Sequence, residues 1–365
     1  MSFRVGILGY PKTGKTLLFN LLTGQTAEAG KFSTERRHHL ASVAIPDPHL
    51  ERVAGIAGSK KAVPLAVEVV DLAGSRGGEA MRKALELAEL RGSDALLHVV
   101  RAFEDAEIPH VEDSLDAARD IRNVEAELLL GDLSTVESSL KRLNALLKKA
   151  KSPEQEKERR VLEKCHQALE AETPLRAAAL DRSEEDVLRG YAFLSQKPVL
   201  HLVNVDESEA PRAEEAMNEL QGKLGAALGA NAALAWASCQ IEFEMSQLGE
   251  EEARPFAEEL KIREPCRPRV TGALAALLRL LVFYTANEKE ARAWWLPRGA
   301  TAIEAAAKVH SDFAKGFIRA ETVSCASLFE TASFAEARTR GLLHAEGRDY
   351  VVQDGDVIQF RFHVS

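Results

Sequence analysis

Short apolar runs recur along the chain, and each is followed by a helical pattern. The runs are FRVGIL at 3–8, AVEVVD at 66–71, ALLHVV at 95–100, PVLHLV at 198–203 and ALAWA at 233–237. Runs of this length predict strands, and strands alternating with helices predict a parallel, doubly wound α/β sheet. Ligands of such sheets gather at the carboxyl ends of the strands. Between Val100 and Pro198 the period changes. Ile121, Val124 and Leu128, then Leu133, Val136, Leu140, Leu143 and Leu147, step by three and four. After Lys151-Ser152-Pro153 the stripe resumes at Leu162, Cys165 and Leu169. Two stripes joined at a proline predict an antiparallel helical hairpin. The longest apolar stretch, residues 273–286, carries Arg279 in its middle and predicts a buried helix rather than a membrane span. Beyond about residue 280, RAWWL, FIRAETVS and VIQFRFHV read as strands of a small α+β domain. The pattern divides the chain into a discontinuous sheet domain at 1–118 and 192–278, a hairpin insertion at 119–191 and a C-terminal domain at 279–365.

Composition narrows the functional classes. The 365 residues exceed one ordinary core. A hydrophobic share of 45% with 28% charged residues is that of a soluble globular protein. The net charge of -9 argues against wholesale coating by nucleic acid. One segment departs from that balance: from Lys141 to Lys164, nine Lys/Arg stand against four Glu. By itself such a run is read as a solvated helix face. Cys165, Cys239, Cys266 and Cys325 are far apart, which points away from a zinc site or a disulfide framework and toward the reducing cytosol. The start, MSFRVGILGYP, is too short and too charged for a signal peptide.

The chemistry begins where the first strand ends. Gly9-Tyr10-Pro11-Lys12-Thr13-Gly14-Lys15-Thr16 matches G-x-x-x-x-G-K-[ST] between a strand and a helix, the context of a P-loop. The nucleotide-binding set is Gly9, Lys12, Thr13, Gly14, Lys15, Thr16 and Leu17. Its glycines let backbone N–H groups curl around phosphates at the positive end of a helix. Lys15 reaches the β- and γ-phosphates and is the first catalytic candidate, while the Thr16 hydroxyl ligates Mg²⁺. Asp71-Leu72-Ala73-Gly74 ends the second run. Asp71 is a further Mg²⁺ residue, and the Gly74 amide can sense a γ-phosphate. Thr34 is the candidate for a second hydroxyl on the metal. After the fourth run comes Asn204-Val205-Asp206-Glu207, where GTP-binding proteins carry Asn-Lys-x-Asp.

These stretches resemble the Obg-like ATPases of the YchF type over nearly the whole length. GYPKTGKTLLFNLLTG, PDPHLERVAGI, VEVVDLAG and ALLHVVRAFED follow in family order. KVHSDFAKGFIRAE and EGRDYVVQDGDVIQFRF are similar to the family's C-terminal TGS domain, a β-grasp module. The resemblance implies a P-loop NTPase fold with a coiled-coil insertion and that TGS domain. It also implies a base loop of the form Asn-x-x-Glu that prefers ATP to GTP, and action at the ribosome. Asn204 and Glu207 fit that form. A carboxylate held as in a GTPase would be repelled by the adenine N1 lone pair, whereas a carboxamide suits adenine N6 and N7. Val205 offers apolar contact, and a backbone amide at Ser238-Cys239 edges the base, where the family has Ser-Ala. The family's suggested catalytic His matches His110. The chain also departs from the family at two places. Lys12 replaces an Asn that helps to hold potassium in many relatives, so the expected protein works without that ion. The segment after Gly74 is shortened and begins with Ser75, which implies slow hydrolysis. The expected molecule is a cytoplasmic monomer that binds ATP more tightly than GTP. The hairpin's basic tip and the TGS-like domain would meet the ribosome or its RNA. A non-catalytic nucleotide-binding module and a GTPase are the alternatives.

Overall fold

Val5, Ile7 and Leu8 of strand β1 (Phe3–Leu8) are buried, as a continuous apolar run inside a parallel sheet requires. The computed structural model describes residues 3–24, 39–71, 88–105, 114–150, 152–229 and 231–363. Among the described residues, seven strands fall in the first two-thirds of the chain: β1, β2 (His39–Ala44), β3 (Ala62–Val63), β4 (Ala66–Asp71), β5 (Ala95–Ala102), β6 (Val199–Val205) and β7 (Ala232–Ala237). All but β3 form one sheet in the order β2-β4-β1-β5-β6-β7. β5 is parallel to β1, with Val5 opposite Ala95, and to β6, and β6 is parallel to β7. The chain places β4 on one side of β1 and β5 on the other. The carboxyl end of β1 therefore lies at a topological switch point, where doubly wound folds bind their ligands. The five runs read from the sequence are all strands of this sheet, and β2 joins them.

The insertion is a helical hairpin. One helix runs Ala117–Leu147, with the Asp116 carboxylate accepting from the Arg119 N–H at 3.0 Å. The other runs Pro153–Glu170 and is capped by Ser152. Ile121, Val124 and Leu128 belong to clusters shared with sheet residues. Val136 and Leu143 pack instead in a cluster with Leu162, Cys165 and Leu169 of the second helix. One apolar stripe thus serves the sheet in its first turns and the hairpin in its last.

Five further strands follow: β8 (Leu280–Ala286), β9 (Ala291–Pro297), β10 (Phe317–Ser324), β11 (His344–Glu346) and β12 (Asp356–Phe362). With β3 they form a second sheet in the order β11-β10-β12-β8-β9-β3. β8 and β9 are an antiparallel hairpin, β12 is parallel to β8, and β10 is antiparallel to β12. The helix Ala302–Val309 buries Ala302, Ala305 and Ala306, and Ala302 and Ala305 share a core with Phe283, Leu296, Ala320 and Ile358. The helix is thus held against a mixed sheet. Residues 273–286 correct the expectation of one buried helix. A helix ends at Leu277, Arg279 turns the chain at φ 51°, and β8 begins at Leu280. The second half of the stretch, LLVFYTA, is rich in aromatic and β-branched residues, and strand pairing with β9 overrides its hydrophobic continuity.

By internal contacts the chain forms two compact units. One comprises residues 4–41 and 68–277, and so contains the hairpin; the other comprises 1–3, 42–67 and 278–365. Among the described residues, no helix is long and apolar enough to cross a membrane.

Candidate nucleotide site

The P-loop at the end of β1 takes its shape from what its residues cannot do. The helix Lys15–Thr23 has Gly14 at its N-cap and no side-chain cap. Its first N–H groups, including those of Lys15, Thr16 and Leu17, lack intrahelical partners and face the end of positive dipole charge. Gly14 has φ 97°, and a Cβ there would stand 2.3 Å from Asn204 Nδ2. Gly9 has φ 141°, and a Cβ there would stand 2.4 Å from the Val99 carbonyl oxygen. Both positions need glycine for conformation and for space. Lys12 occupies the left-handed region at φ 62° without being glycine, a conformation that costs about 1–2 kcal/mol. The Thr13 hydroxyl donates to the Tyr10 carbonyl at 3.1 Å, which closes the turn.

Lys15 folds into this loop. Its ammonium donates to the Gly9 carbonyl at 3.0 Å and to the Tyr10 carbonyl. It is only 6% exposed, and burial lowers its pKa to about 8. The Asp71 carboxylate opposes that shift and the Lys12 charge adds to it. The Thr16 hydroxyl donates to Asp71 Oδ2 at 2.9 Å, so the end of β4 meets the first turn of the helix.

Asn204 ties this loop to the rest of the sheet. Its Nδ2 donates to the Thr13 carbonyl at 3.0 Å, and its Oδ1 accepts from the Cys239 backbone N–H at 3.0 Å. Both ends of the carboxamide are engaged in bracing, a role that sequence reasoning missed. Val205 is 7% exposed and belongs to the core cluster of Ala210 and Ala213, so its apolar side chain serves the core. Glu207 is exposed and begins a 3-10 turn capped by Asp206. Ser238 and Cys239 are buried, and both of their backbone N–H groups are bonded, to Glu242 and Asn204 respectively. Gly9, Lys12, Thr13, Gly14, Lys15, Thr16, Asp71 and Asn204 thus come together at one end of the sheet. Thr34, Gly74, Ser75 and His110 lie outside the described residues.

A second buried polar chain was not visible in the sequence. His98 of β5 and His201 of β6 approach Nδ1 to Nδ1 at 3.0 Å. Burial, then the neighbouring imidazole, hold His98 well below the usual histidine range. His201 Nε2 stands 3.4 Å from Glu125, which also pairs with Arg176. Four polar groups therefore run from mid-sheet to the root of the hairpin.

Comparisons with known proteins agree with this architecture. A family model described as "50S ribosome-binding GTPase" matches residues 4–131. A model for the C-terminal region of YchF GTPases, described as "Protein of unknown function", matches residues 280–363. The "Ribosome-binding ATPase YchF" of Bacillus subtilis is 37% identical over 369 residues, covering 100% of both chains. Its namesake from Escherichia coli O157:H7 is 38% identical over 372 residues, again covering 100% of both. The solved Schizosaccharomyces pombe YchF GTPase superposes with a TM-score of 0.78 at 26% identity, covering 99% of this chain and 98% of that one.

Proposed function

The chain belongs to the YchF family, and from that premise we propose that it is a P-loop ATPase that acts on the ribosome. The observation that carries the nucleotide half is the uncapped helix end at the switch point, with Lys15 and Thr16 in its first turn and Asn204 bracing the loop. A triphosphate entering the cradle takes the loop N–H groups and draws the Lys15 ammonium from the carbonyls of Gly9 and Tyr10. The phosphates then supply the negative charge that the buried ammonium lacks.

The donor set fits Mg²⁺. This ion takes near-octahedral oxygen ligands at ~2.0–2.1 Å, so neighbouring ligands stand ~3 Å apart. Thr16 Oγ1 and Asp71 Oδ2 are hard oxygens 2.9 Å apart. When bound, Mg²⁺ neutralises charge on the β- and γ-oxygens. Thr34 is the second hydroxyl proposed for it, and Gly74 the γ-phosphate sensor. His110 is the proposed catalytic partner of Lys15. Lys12 places a fixed positive charge in the loop, and we assign to it turnover that does not need potassium.

Adenine is the preferred base. Glu207, longer by one methylene than the Asp of a guanine-reading loop, is the residue that supports this reading. The ribosome is met by the hairpin (119–191) and by the C-terminal β-grasp domain (279–365), the proposed TGS domain. The relatives' name supports the partner, and the basic tip supports the surface. The test is single-turnover ATP hydrolysis by the isolated protein. Slow turnover that Lys15→Ala abolishes is expected, because a missing water-positioning or charge-stabilising group costs on the order of 10³–10⁵ in rate. ATP binding with no turnover, with or without ribosomes, would instead leave a nucleotide-dependent binding module.

A further inference from the structure

On the second sheet one carboxylate lies among three guanidinium groups. Glu321 of β10 is 5% exposed. Its Oε1 accepts from Arg319 Nε at 3.2 Å and Nη2 at 2.8 Å. Its Oε2 accepts from Arg338 Nη2 at 3.0 Å and Arg361 Nη2 at 2.9 Å. These contacts hold its carboxyl down at about 2. The arginine side chains remain open to solvent, at 53%, 63% and 50% for Arg319, Arg338 and Arg361.

Two features set this apart from an ordinary ion-pair staple. Arg319 and Arg361 are direct cross-strand partners in the register of β10 with β12. Like charges directly opposite each other destabilise a sheet, and one carboxylate offsets only one of the three charges. The group also lines an opening of about 310 Å³, with Leu343 and His344 on its wall. Each guanidinium carries five N–H donors. Four of these donors bond Glu321. A concave surface with two surplus positive charges and several planar forks matches one kind of ligand well. A phosphate monoester carries about -1.5 to -2 charges at pH 7 and three acceptor oxygens, and arginine forks bind it bidentately.

We infer that this opening is a phosphate-monoester site, independent of the P-loop, that takes the terminal phosphate of a nucleotide, either free or at the end of an RNA strand. Glu321 orients the three forks from below and sets their surplus charge at the value a dianion neutralises. The apolar wall at Leu343 receives part of the nucleoside.

The experiment uses the full chain with its P-loop saturated by a non-hydrolysable ATP analogue. Fluorescence anisotropy follows a short single-stranded RNA, labelled at its 3′ end, with a 5′-phosphate or a 5′-hydroxyl, and AMP is added as competitor. The phosphorylated strand should bind about tenfold or more tighter, the worth of a few charge-assisted hydrogen bonds. Arg338→Gln, a change at the most exposed of the three arginines, should erase that advantage. Glu321→Gln should reduce it, because the carboxamide NH₂ cannot accept from the forks that one carboxylate oxygen holds in place. Displacement of the strand by AMP assigns the free nucleotide as ligand, and resistance to AMP assigns the RNA end. Equal binding of the two strands, or Arg338→Gln without effect, would overturn the site. A thermal melt accompanies each variant; should Glu321→Gln fail to fold, the surface change Arg338→Gln decides alone. ATP binding at the P-loop is read in the same variants and should not change, which separates this outcome from failure of the nucleotide reading.

Discussion

Lys15 is a cation in a place that resists cations, and this makes its titration a readout of ligand. Its pKa of about 8 lies below the ordinary lysine value because burial penalises the charged form. In the free protein it passes from mostly protonated at pH 7 to mostly neutral at pH 9, whereas bound phosphates require it charged. ATP should therefore bind about tenfold more weakly at pH 9 than at pH 7, with proton uptake near pH 8. Calorimetry in two buffers of different ionisation enthalpy measures both, and Lys15→Ala should remove both. Asn204 carries a prediction about stability. Asn204→Ala leaves the Thr13 carbonyl and the Cys239 N–H without their partner in a buried site, at a cost of about 1–3 kcal/mol. A lower urea midpoint with weaker ATP binding is expected; an unchanged midpoint would show that the brace is replaceable. The P-loop was legible because glycine, lysine and threonine at fixed spacing have one shared physical use. The bracing role of Asn204 was not, because its partner Thr13 is 191 residues away and the sequence offered only a base for the carboxamide to read.

Elements repeat the same division between local and distant signals. The hairpin was legible from a stripe of three and four and from Ser152-Pro153, a cap followed by a residue suited to the first turn. Its attachment was not. Arg176 pairs with Glu125 in the interior, and charges of opposite sign at that distance in sequence carry no pattern. Arg176→Met should destabilise the protein by about 3–5 kcal/mol by leaving buried Glu125 without its guanidinium partner. Restoring much of that loss with Glu125→Leu in the same chain would identify the charge, rather than the packing, as the cause; chemical denaturation reads both. At the other end of the hairpin, Lys148, Lys149 and Arg160 are exposed, and Arg159 is pinned to Glu163. Charge reversal at these four positions should weaken ribosome co-sedimentation, and the natural protein's binding should fall steeply with salt as phosphate contacts require. Co-sedimentation equal to that of the natural protein would remove the tip from the contact surface. The stretch 273–286 misled for a plain reason. Uniform apolarity states burial but not geometry, and only the turn at Leu278 and Arg279, the latter at φ 51°, separates the helix from β8.

At the scale of the molecule, a mixed-sheet C-terminal domain and a helical hairpin accompany a sheet with a P-loop at its switch point. On the proposed function, two parts that would meet the ribosome share a chain with the nucleotide site. The arrangement makes sense if nucleotide state governs partner binding, and the base then decides which nucleotide the protein reads. Base choice is therefore the central claim, and it rests on Glu207 standing where guanine-reading loops have Asp. Side-by-side titration calorimetry of ATP and GTP with Mg²⁺ tests it most directly. ATP should bind about tenfold or more tighter than GTP, a difference of ~1.4 kcal/mol. Equal affinities, or tighter binding of GTP, would contradict it.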